Sequence, residues 1–505
     1  MRPLPLLALA ALSLAALGCG DGAPDGADRD AATAGTLGDA TQTICADGSD
    51  TLCSTLPTDL AGVGVMIGYV PASDAGGTGA FNQTFLDYFG WQSFVALNWP
   101  LGDDGQPSSG SITSDPDAPR VWTTFDTVDE VFGSGTTALA GAGACPAGEG
   151  DLQLYRTSKF GLAGFLESAT PWPLIDRNGN YALYDVRLNS REVAYLQTNG
   201  LTTQAGQTAF RGSGGTYAFP GGQGAEAGAI EIKTSWRVLT DGDDPSDYYT
   251  TSAVITVPAA YSETGEQLCL HETVGLVGMH IMQKFSAPDA FAPFWAWATF
   301  EHVDNAPLAD GAPVSPTNGA STVTSADRVS CSLPPDTTST TRYSFYNPSC
   351  RVSVGAVCGL NNPPPMPADS VYKWAPTKPY ARASMIEGPG GPYGTQAARC
   401  FDIYESARTV TAAYQSALAG SPFANYMLVG VQWASASSTA TGPFQNLSPF
   451  PAPIYLTNTT METYIQTDPV FGGNFNQGSC IACHAQATDR AGNASNLSFL
   501  PFHAQ

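Results

Sequence analysis

Alternation of apolar and polar residues with a period of two recurs along the chain, and it restricts the chain to a fold built largely of β-strands. In AIEIKTSWRVL, Ile230, Ile232 and Trp236 share one side of an extended chain, while Glu231 and Lys233 share the other. The segments TVGLVGMHIM and WAWATFEHV behave in a similar way. The 54 Gly and 38 Pro residues keep such strands short. The sequence therefore predicts a β-rich α+β fold with a large, mostly antiparallel β body.

A few segments have helical periodicity or helix-end signals instead. Asn189 is placed as the N-cap of NSREVAYLQTNG, and FDIYESARTVTAAYQSAL has a single apolar stripe. In NTTMETYIQT, Thr459 and Glu462 have the spacing of a capping box. The segment FNQTFLDYFGWQSFVALNWP is expected to be helical in places, broken near Gly90 and stopped by Pro100. We therefore expect few helices, placed between strands or on the body.

The tail of the chain carries a cysteine–histidine spacing with a specific chemistry. Cys480, Cys483 and His484 in NQGSCIACHAQATDR form the pattern C-x-x-C-H, and 21 residues follow it. Two thiols at this spacing add across the vinyl groups of a haem, and the adjacent imidazole reaches the iron from the same face. The motif thus predicts one covalently bound haem c with His484 as an axial ligand. The alternative is a short-range disulfide beside a surface histidine.

The second axial ligand of such a haem is not evident near the motif. The tail AQATDRAGNASNLSFLPFHAQ contains no Met. His280, in the strand-like MHIMQK, and Met461, 19 residues before Cys480, are the candidates for the distal ligand, and His503 could loop back. Each of these residues can equally be structural. An open sixth position is a further alternative, and it would allow small molecules to bind the iron.

The first 18 residues have the pattern of an export signal. Arg2 is followed by the apolar run PLLALAALSLAAL, which is too short to span a bilayer. Small residues directly before Cys19 match the cleavage signal of bacterial lipoproteins, in which that cysteine is lipidated. The alternative is an ordinary signal peptide cut nearby. Residues 19–43 are mostly Gly, Ala and Asp. This composition predicts a flexible tether between a lipid anchor and the body.

Cysteine parity agrees with a lipidated Cys19, but it does not test the haem, because ten and eight are both even. The chain has 11 Cys, and removing Cys19 and the two motif cysteines leaves an even number. Eight remaining cysteines allow four disulfides, as expected in an oxidising periplasm or at the cell surface. Their pairing cannot be read from the sequence, although Cys45 and Cys53 form a plausible local pair. Residues 303–400 hold four of the eight and are rich in Pro, Ser, Thr and Gly, which predicts long surface loops stapled by disulfides.

The domain organisation follows from these segments. Residues 44–400 are expected to form the β-rich body with its stapled loops, and residues 401–505 a helical, haem-carrying segment integral to the same fold. The formal net charge of −24 argues against nucleic acid and anionic membrane surfaces as partners. It permits docking to a basic redox partner protein, although plain solubility explains the acidity equally well.

Several segments together resemble a group of large bacterial envelope proteins that are called cytochrome c family proteins. The resemblance runs from about Phe85 to Leu500 and is carried by WQSFVALNWP, LIDRNGNYALYDVRLN, GAIEIKTSWRVL, GMHIMQK, WAWATFEHVDN, YLTNTTMETYIQ, CIACHAQA and NLSFL. It implies haem c on Cys480 and Cys483, His484 as axial ligand and a location in the cell envelope. It supplies no substrate and no catalytic residue.

These observations lead to one functional expectation and two alternatives. We expect a lipid-anchored mono-haem c-type cytochrome that binds haem and transfers electrons in the bacterial cell envelope. The size of the body and the absent downstream Met motivate the first alternative, an oxidase- or peroxidase-like haem oxidoreductase with an open iron site. The second is a haem-based ligand-binding or sensing lipoprotein. Whether the chain is an enzyme, and on what substrate, is not decided by the sequence; the coordination of the iron would separate the three.

Overall fold

The structure of the chain is a computed structural model, and the residues it describes lie within the range Ala34–Gln505. The signal peptide, the lipidated Cys19 and the tether of the sequence analysis lie outside the described residues. No helix within the described residues combines the length and the apolar character needed to cross a membrane. The described residues are 52–58, 83–133, 145–148, 150–154, 172–285, 294–315, 331–335, 343–350, 358–365, 367–369, 371–388, 391–436, 447–448, 453, 455–466 and 479–505.

The strands in the described part of the chain are β1 (Asp126–Thr127), β2 (Leu152–Leu154), β3 (Leu183–Leu188), β4 (Ile230–Val238), β5 (Thr250–Val257), β6 (Leu268–Phe285), β7 (Phe294–His302), β8 (Glu387–Gly388), β9 (Gly391–Pro392), β10 (Tyr426–Ala436) and β11 (Leu447–Ser448). Nine of these strands form one sheet with the order β1-β3-β4-β6-β7-β10-β11, with β5 on β6 and β2 on β5. Every pairing in that sheet is antiparallel except that of β2 with β5. The predicted β-rich α+β fold is therefore confirmed.

The α-helices in the described residues are α1 (Gln83–Leu97), α2 (Val128–Phe132), α3 (Ser190–Thr198), α4 (Gln204–Gly212), α5 (Ala383–Ile386), α6 (Glu405–Ala417) and α7 (Cys480–His484). Asn189 caps α3 as expected, because its side-chain oxygen accepts from the backbone N–H of Glu192 at 3.1 Å. The stripe predicted in FDIYESARTVTAAYQSAL forms α6, which buries Ala407, Val410 and Tyr414.

Helix α1 runs unbroken through Gly90, so the break expected there is wrong. A Cβ added to Gly90 would lie 2.8 Å from Cγ2 of Val431 and 3.1 Å from Cβ of Ala298. The glycine therefore serves a close approach of the helix to β7 and β10, and the packing gained there outweighs its low helix propensity. The helix ends at Leu97, before Pro100, as expected.

The helix expected at NTTMETYIQT is also wrong, because residues 459–466 form successive turns. Glu462 accepts from the backbone N–H of Asn458 at 2.8 Å. Thr459 donates its backbone N–H and its hydroxyl to the carboxylate of Glu301 on β7, at 2.7 and 2.5 Å. Hydrogen bonds of this kind offer the backbone an alternative to helix formation. The segment consequently lies as a turn on the sheet.

Both faces of the sheet are covered. Ile232 and Trp236 of β4 belong to the core that packs against α1 and α6 on one face. On the other face, Met282 and Trp297 pack with Ile481 from the C-terminal segment. The polar residues that alternate along β4 therefore face a second buried layer rather than solvent. These polar side chains are therefore available to a ligand site in that layer.

Three disulfides join described cysteines. They are Cys145–Cys269, Cys331–Cys400 and Cys350–Cys358. Cys53 is also disulfide-bonded, and Cys45, its expected partner, lies outside the described residues. Two of the bonds staple the loop region 303–400, as the sequence suggested. Disulfides of this number are compatible with an extracytoplasmic compartment.

Candidate functional site

The motif cysteines lie on α7, which is seated on β10. The side-chain oxygen of Gln432 accepts from the backbone N–H of Ile481 at 3.1 Å, and its amide nitrogen donates to Oγ of Ser479 at 2.9 Å. Cys480 is buried and Cys483 partly exposed, and neither is part of a disulfide among the described cysteines. Residues three apart on a helix project from the same side. Cys480 and Cys483 therefore project from the same side of α7.

The imidazole of His484 is oriented by a backbone carbonyl. Its Nδ1 lies 2.7 Å from the oxygen of Leu497. A carbonyl only accepts hydrogen bonds, so Nδ1 carries the proton and the lone pair of the neutral ring is on Nε2. The rings of Trp297 and Phe499 flank the imidazole, with centroids 5.0 and 4.9 Å away. Histidines that bind metals usually donate their other ring N–H in this way.

A pocket lies between α7 and the polar face of the sheet. Its cavity volume is about 60 Å³. Its walls contain Cys480, Cys483 and His484 together with His280 from β6 and Trp297 from β7. Pockets that bury small molecules and cofactors are mostly apolar, with a few directed polar groups. The motif and one of the two distal-ligand candidates thus line the same pocket.

His280 presents a poorly satisfied nitrogen in this pocket. The side chain is buried, and its Nδ1 lies 2.9 Å from the hydroxyl of Thr299. Its Nε2 has no hydrogen-bond partner among the described residues. The carboxylate of Glu462 is 3.3 Å from Nε2, close enough for an ion pair with a protonated ring but not aligned for a hydrogen bond. A buried ring nitrogen without a hydrogen bond is uncommon, and a water molecule or a bound group often supplies the missing partner.

The other distal candidates lie elsewhere. Met461 is buried in a different cluster, against Tyr184 and Val277. His503 lies in the short 3₁₀ helix Leu500–His503, with its ring 6.3 Å from that of Phe132. Neither residue is among the described residues that line the pocket. The structure therefore brings His280, and not Met461 or His503, to the motif.

Some pocket residues were not singled out by the sequence. Glu231 and Lys233 of β4 line the pocket, and Glu462 approaches His280 from the turn segment. The only available signal was the polar half of the alternation in AIEIKTSWRVL. No group of three or more His, Cys, Asp or Glu side chains in the described residues is arranged to hold a bare metal ion.

The turn that carries Glu462 rests on the sheet at Gly278. The hydroxyls of Ser235 and Thr460 are 2.6 Å apart above this residue. A Cβ added to Gly278 would lie 2.6 Å from each of these two oxygens and 3.1 Å from Oδ1 of Asn458. Only a glycine allows the turn to sit so close to β6.

Gly278→Ala is therefore expected to destabilise the protein by about 1–3 kcal/mol, because the turn must move off the sheet. Urea unfolding followed by tryptophan fluorescence measures this. The matched control is Gly212→Ala at the end of α4, where an added Cβ meets nothing within 4 Å. That control should be neutral or slightly stabilising. Equal effects of the two substitutions would contradict the close contact at Gly278.

No protein-family model, curated protein or solved structure matches the chain. What the pocket does is therefore inferred from its own residues. Two thiols on one helical turn, an imidazole oriented through Nδ1 and a second buried imidazole face the same space. Together these groups match the chemistry that a covalently attached haem requires.

Proposed function

We propose that the chain is a mono-haem c-type cytochrome that transfers electrons in the bacterial cell envelope. The observation that carries the proposal is that Cys480, Cys483, His484 and His280 line one pocket. When bound, the haem supplies an iron that cycles between the ferric and ferrous states. Membership of the chain in the cytochrome c family group that its sequence resembles is part of the same proposal.

In this proposal each residue of the pocket has one role. Cys480 and Cys483 would hold the porphyrin through thioether bonds. His484 would ligate the iron through Nε2, with its Nδ1 proton held by the carbonyl of Leu497. His280 would be the second iron ligand through Nε2, with its Nδ1 proton donated to the hydroxyl of Thr299. Iron held by two histidines would suit a carrier of electrons.

One contact favours a second candidate function. The carboxylate of Glu462 lies 3.3 Å from Nε2 of His280. If this pair persists when haem is bound, the sixth iron position stays open and His280 with Glu462 becomes a distal acid–base pair. The chain would then be an oxidase- or peroxidase-like haem oxidoreductase, or a ligand-sensing lipoprotein.

The test of the proposed function is expression of the full chain with cytochrome maturation machinery. We expect one haem per chain in the pyridine haemochrome assay, and an intact mass that includes the porphyrin. Cys480→Ser combined with Cys483→Ser should lose the covalent haem. A correctly exported protein without colour or added mass would refute the proposal.

The absorption spectrum of the same protein tests the distal ligand. Wild type should be low-spin and unaffected by carbon monoxide, while His280→Ala should become high-spin and bind it. The control is His271→Ala, an exposed position on the same strand, which should resemble wild type. A high-spin wild type that binds carbon monoxide favours the second candidate function. An unchanged His280→Ala spectrum excludes His280, and Met461→Leu is then tested in the same way.

The proposal also places the protein on a membrane through a lipid on Cys19, in the periplasm or at the outer surface. The predicted signal, the cysteine parity and the disulfides support this placement. The intact mass of the matured protein reports the lipid together with the haem. The acidic chain would suit a redox partner with a basic docking face.

A further inference from the structure

Two consecutive residues of the C-terminal segment have a left-handed backbone. Asn496 has φ of 55° and Leu497 has φ of 73°. Asn tolerates this conformation, but a leucine rarely adopts it because its Cβ crowds the following carbonyl oxygen. Such a conformation persists only where the surroundings hold it, and it is often found at functional sites.

A lysine and a tryptophan of the sheet hold this backbone. The ammonium group of Lys284 donates to Oδ1 of Asn496, and the indole N–H of Trp295 donates to the carbonyl oxygen of Asn496 at 2.9 Å. Lys284 and Trp295 are paired neighbours on β6 and β7, and Nζ of Lys284 lies 5.0 Å from the centre of the indole ring. Asn496 is therefore fixed through both its side chain and its backbone.

The burial of Lys284 is costly and calls for an explanation. Only 3% of this residue is exposed. Burial lowers its pKa from 10.5 to about 7, although the charge of Glu192 on α3 acts in the opposite direction. A buried ammonium group is tolerated only where hydrogen bonds and opposite charge compensate the lost hydration. Asn496 provides a hydrogen bond, while the opposite charge that Glu192 can offer is limited, because burial and the neighbouring Glu231 raise the pKa of its carboxyl group well above 4.5.

The backbone that Lys284 and Trp295 hold lies next to the carbonyl group that contacts His484. The carbonyl oxygen of Leu497, the residue after Asn496, accepts the Nδ1 proton of His484 at 2.7 Å. We propose that Lys284 is a positioning residue for His484: by fixing Asn496 it aims the Leu497 carbonyl at the imidazole, and so sets the tautomer and orientation of that ring. For a haem ligand this makes Nε2 the coordinating nitrogen. The importance of this positioning for haem ligation rests on the proposed function. The structural link from Lys284 to His484 does not depend on that function.

Lys284 could instead serve only as a counter-ion for Glu192, and two variants separate these roles. Glu192→Gln removes the carboxylate and leaves the Lys284–Asn496 bond intact. Lys284→Met removes that bond and leaves the carboxylate buried without it. If Lys284 acts only as a counter-ion, the double variant Lys284→Met with Glu192→Gln should behave like wild type. If Lys284 positions His484, the double variant should retain the defect of Lys284→Met.

The first experiment uses the full chain expressed without maturation machinery and labelled with ¹⁵N-histidine. The signals of the five histidines report their ring tautomers, and the His484 signal is assigned by its loss in His484→Gln. We expect the proton of His484 on Nδ1 in wild type and in Glu192→Gln. In Lys284→Met and in the double variant, we expect the ratio of the two tautomers to fall about tenfold, as the loss of one hydrogen bond implies.

The second experiment measures the midpoint potential of the matured double variant. Lys284→Met and Glu192→Gln are measured beside it, so the part of a change that comes from charge at the site can be subtracted from the part that comes from the ligand. A weaker Nδ1 hydrogen bond makes the imidazole a poorer donor, which favours ferrous iron and raises the potential. A wild-type tautomer ratio and a wild-type potential in the double variant would overturn the inference. A protein that binds no haem refutes the proposed function alone, because the tautomer experiment still decides the role of Lys284.

Discussion

Glu301→Gln should lower the free energy of unfolding by about 3–5 kcal/mol, because it breaks a buried ion pair and leaves a cation uncompensated. The carboxylate of Glu301 is fully buried and accepts from both terminal nitrogens of Arg399, at 3.1 and 2.6 Å. It also accepts the two bonds from Thr459 described above. Glutamine keeps the shape but turns an amide N–H₂ toward groups that are themselves donors. Urea unfolding at pH 7 measures the loss.

The chain supplies a matched control for this change. Arg408 and Asp402 form an ion pair of similar length, 2.8 Å, with side chains 49% and 31% exposed. Arg408→Gln should cost no more than about 1 kcal/mol, since exposed pairs contribute little. Replacing both members of the buried pair, with Glu301→Leu and Arg399→Met, should cost less than the sum of the single changes. Similar losses for Glu301→Gln and Arg408→Gln would show that the buried pair stabilises the protein no more than the exposed pair does.

The Glu301–Arg399 ion pair also affects the pocket. Thr459 begins the turn that places Glu462 beside His280, and Glu301 is its anchor on β7. Loosening the anchor should therefore free His280 from its carboxylate neighbour before the protein unfolds. If the protein carries the proposed haem, the absorption spectrum of Glu301→Gln should therefore differ from that of wild type.

Asp87→Asn should remove a pH-dependent loss of stability of about 4 kcal/mol. Asp87 of α1 is fully buried, and burial raises its pKa from 3.8 to about 7, against the effect of hydrogen bonds from Tyr404, Ser406 and Gln83. Between about pH 4 and pH 7 the unfolded chain releases this proton while the folded chain keeps it. Stability therefore falls as pH rises through this window and levels off above it. Three pKa units correspond to about 4 kcal/mol.

The measurement is urea unfolding of wild type and Asp87→Asn at several pH values from 4 to 8. Asparagine resembles the protonated acid, because the hydroxyl of Ser406 can turn to accept from its amide. The two proteins should be similarly stable near pH 4, and the variant should be the more stable one above pH 7. Asp176, whose pKa is raised to about 6 by burial, stays in both proteins, so the difference between the curves isolates Asp87. Parallel curves would show that Asp87 does not titrate in this window.

The sequence predicted those features that depend on neighbouring residues. Alternation located β4, β6 and β7, and Asn189 marked the start of α3, since both signals are local. The motif named Cys480, Cys483 and His484 for the same reason. The nature of the fold could therefore be read before any contact was known.

What the sequence missed depends on contacts between distant parts of the chain. Thr459 bonds to Glu301 instead of capping a helix, and Gly90 makes room for Val431 instead of ending one. His280 and Met461 were equal candidates, because no local signal says which of two apolar segments will face α7. The disulfide pairs were unreadable for the same reason. Tertiary packing decided each of these cases.

The double burial of the sheet has a consequence for insertions and deletions. On β6, His280 lines the pocket while the next residue, Ile281, packs in the core beneath α1. Neighbours on a strand point to opposite faces, so adding or removing one residue in the middle of β6 would exchange the two. The pocket would receive a hydrocarbon and the core an imidazole. Insertions or deletions in this stretch can be tolerated only in steps of two residues. Only such changes keep the imidazole on the pocket face of β6 and the hydrocarbon on the core face.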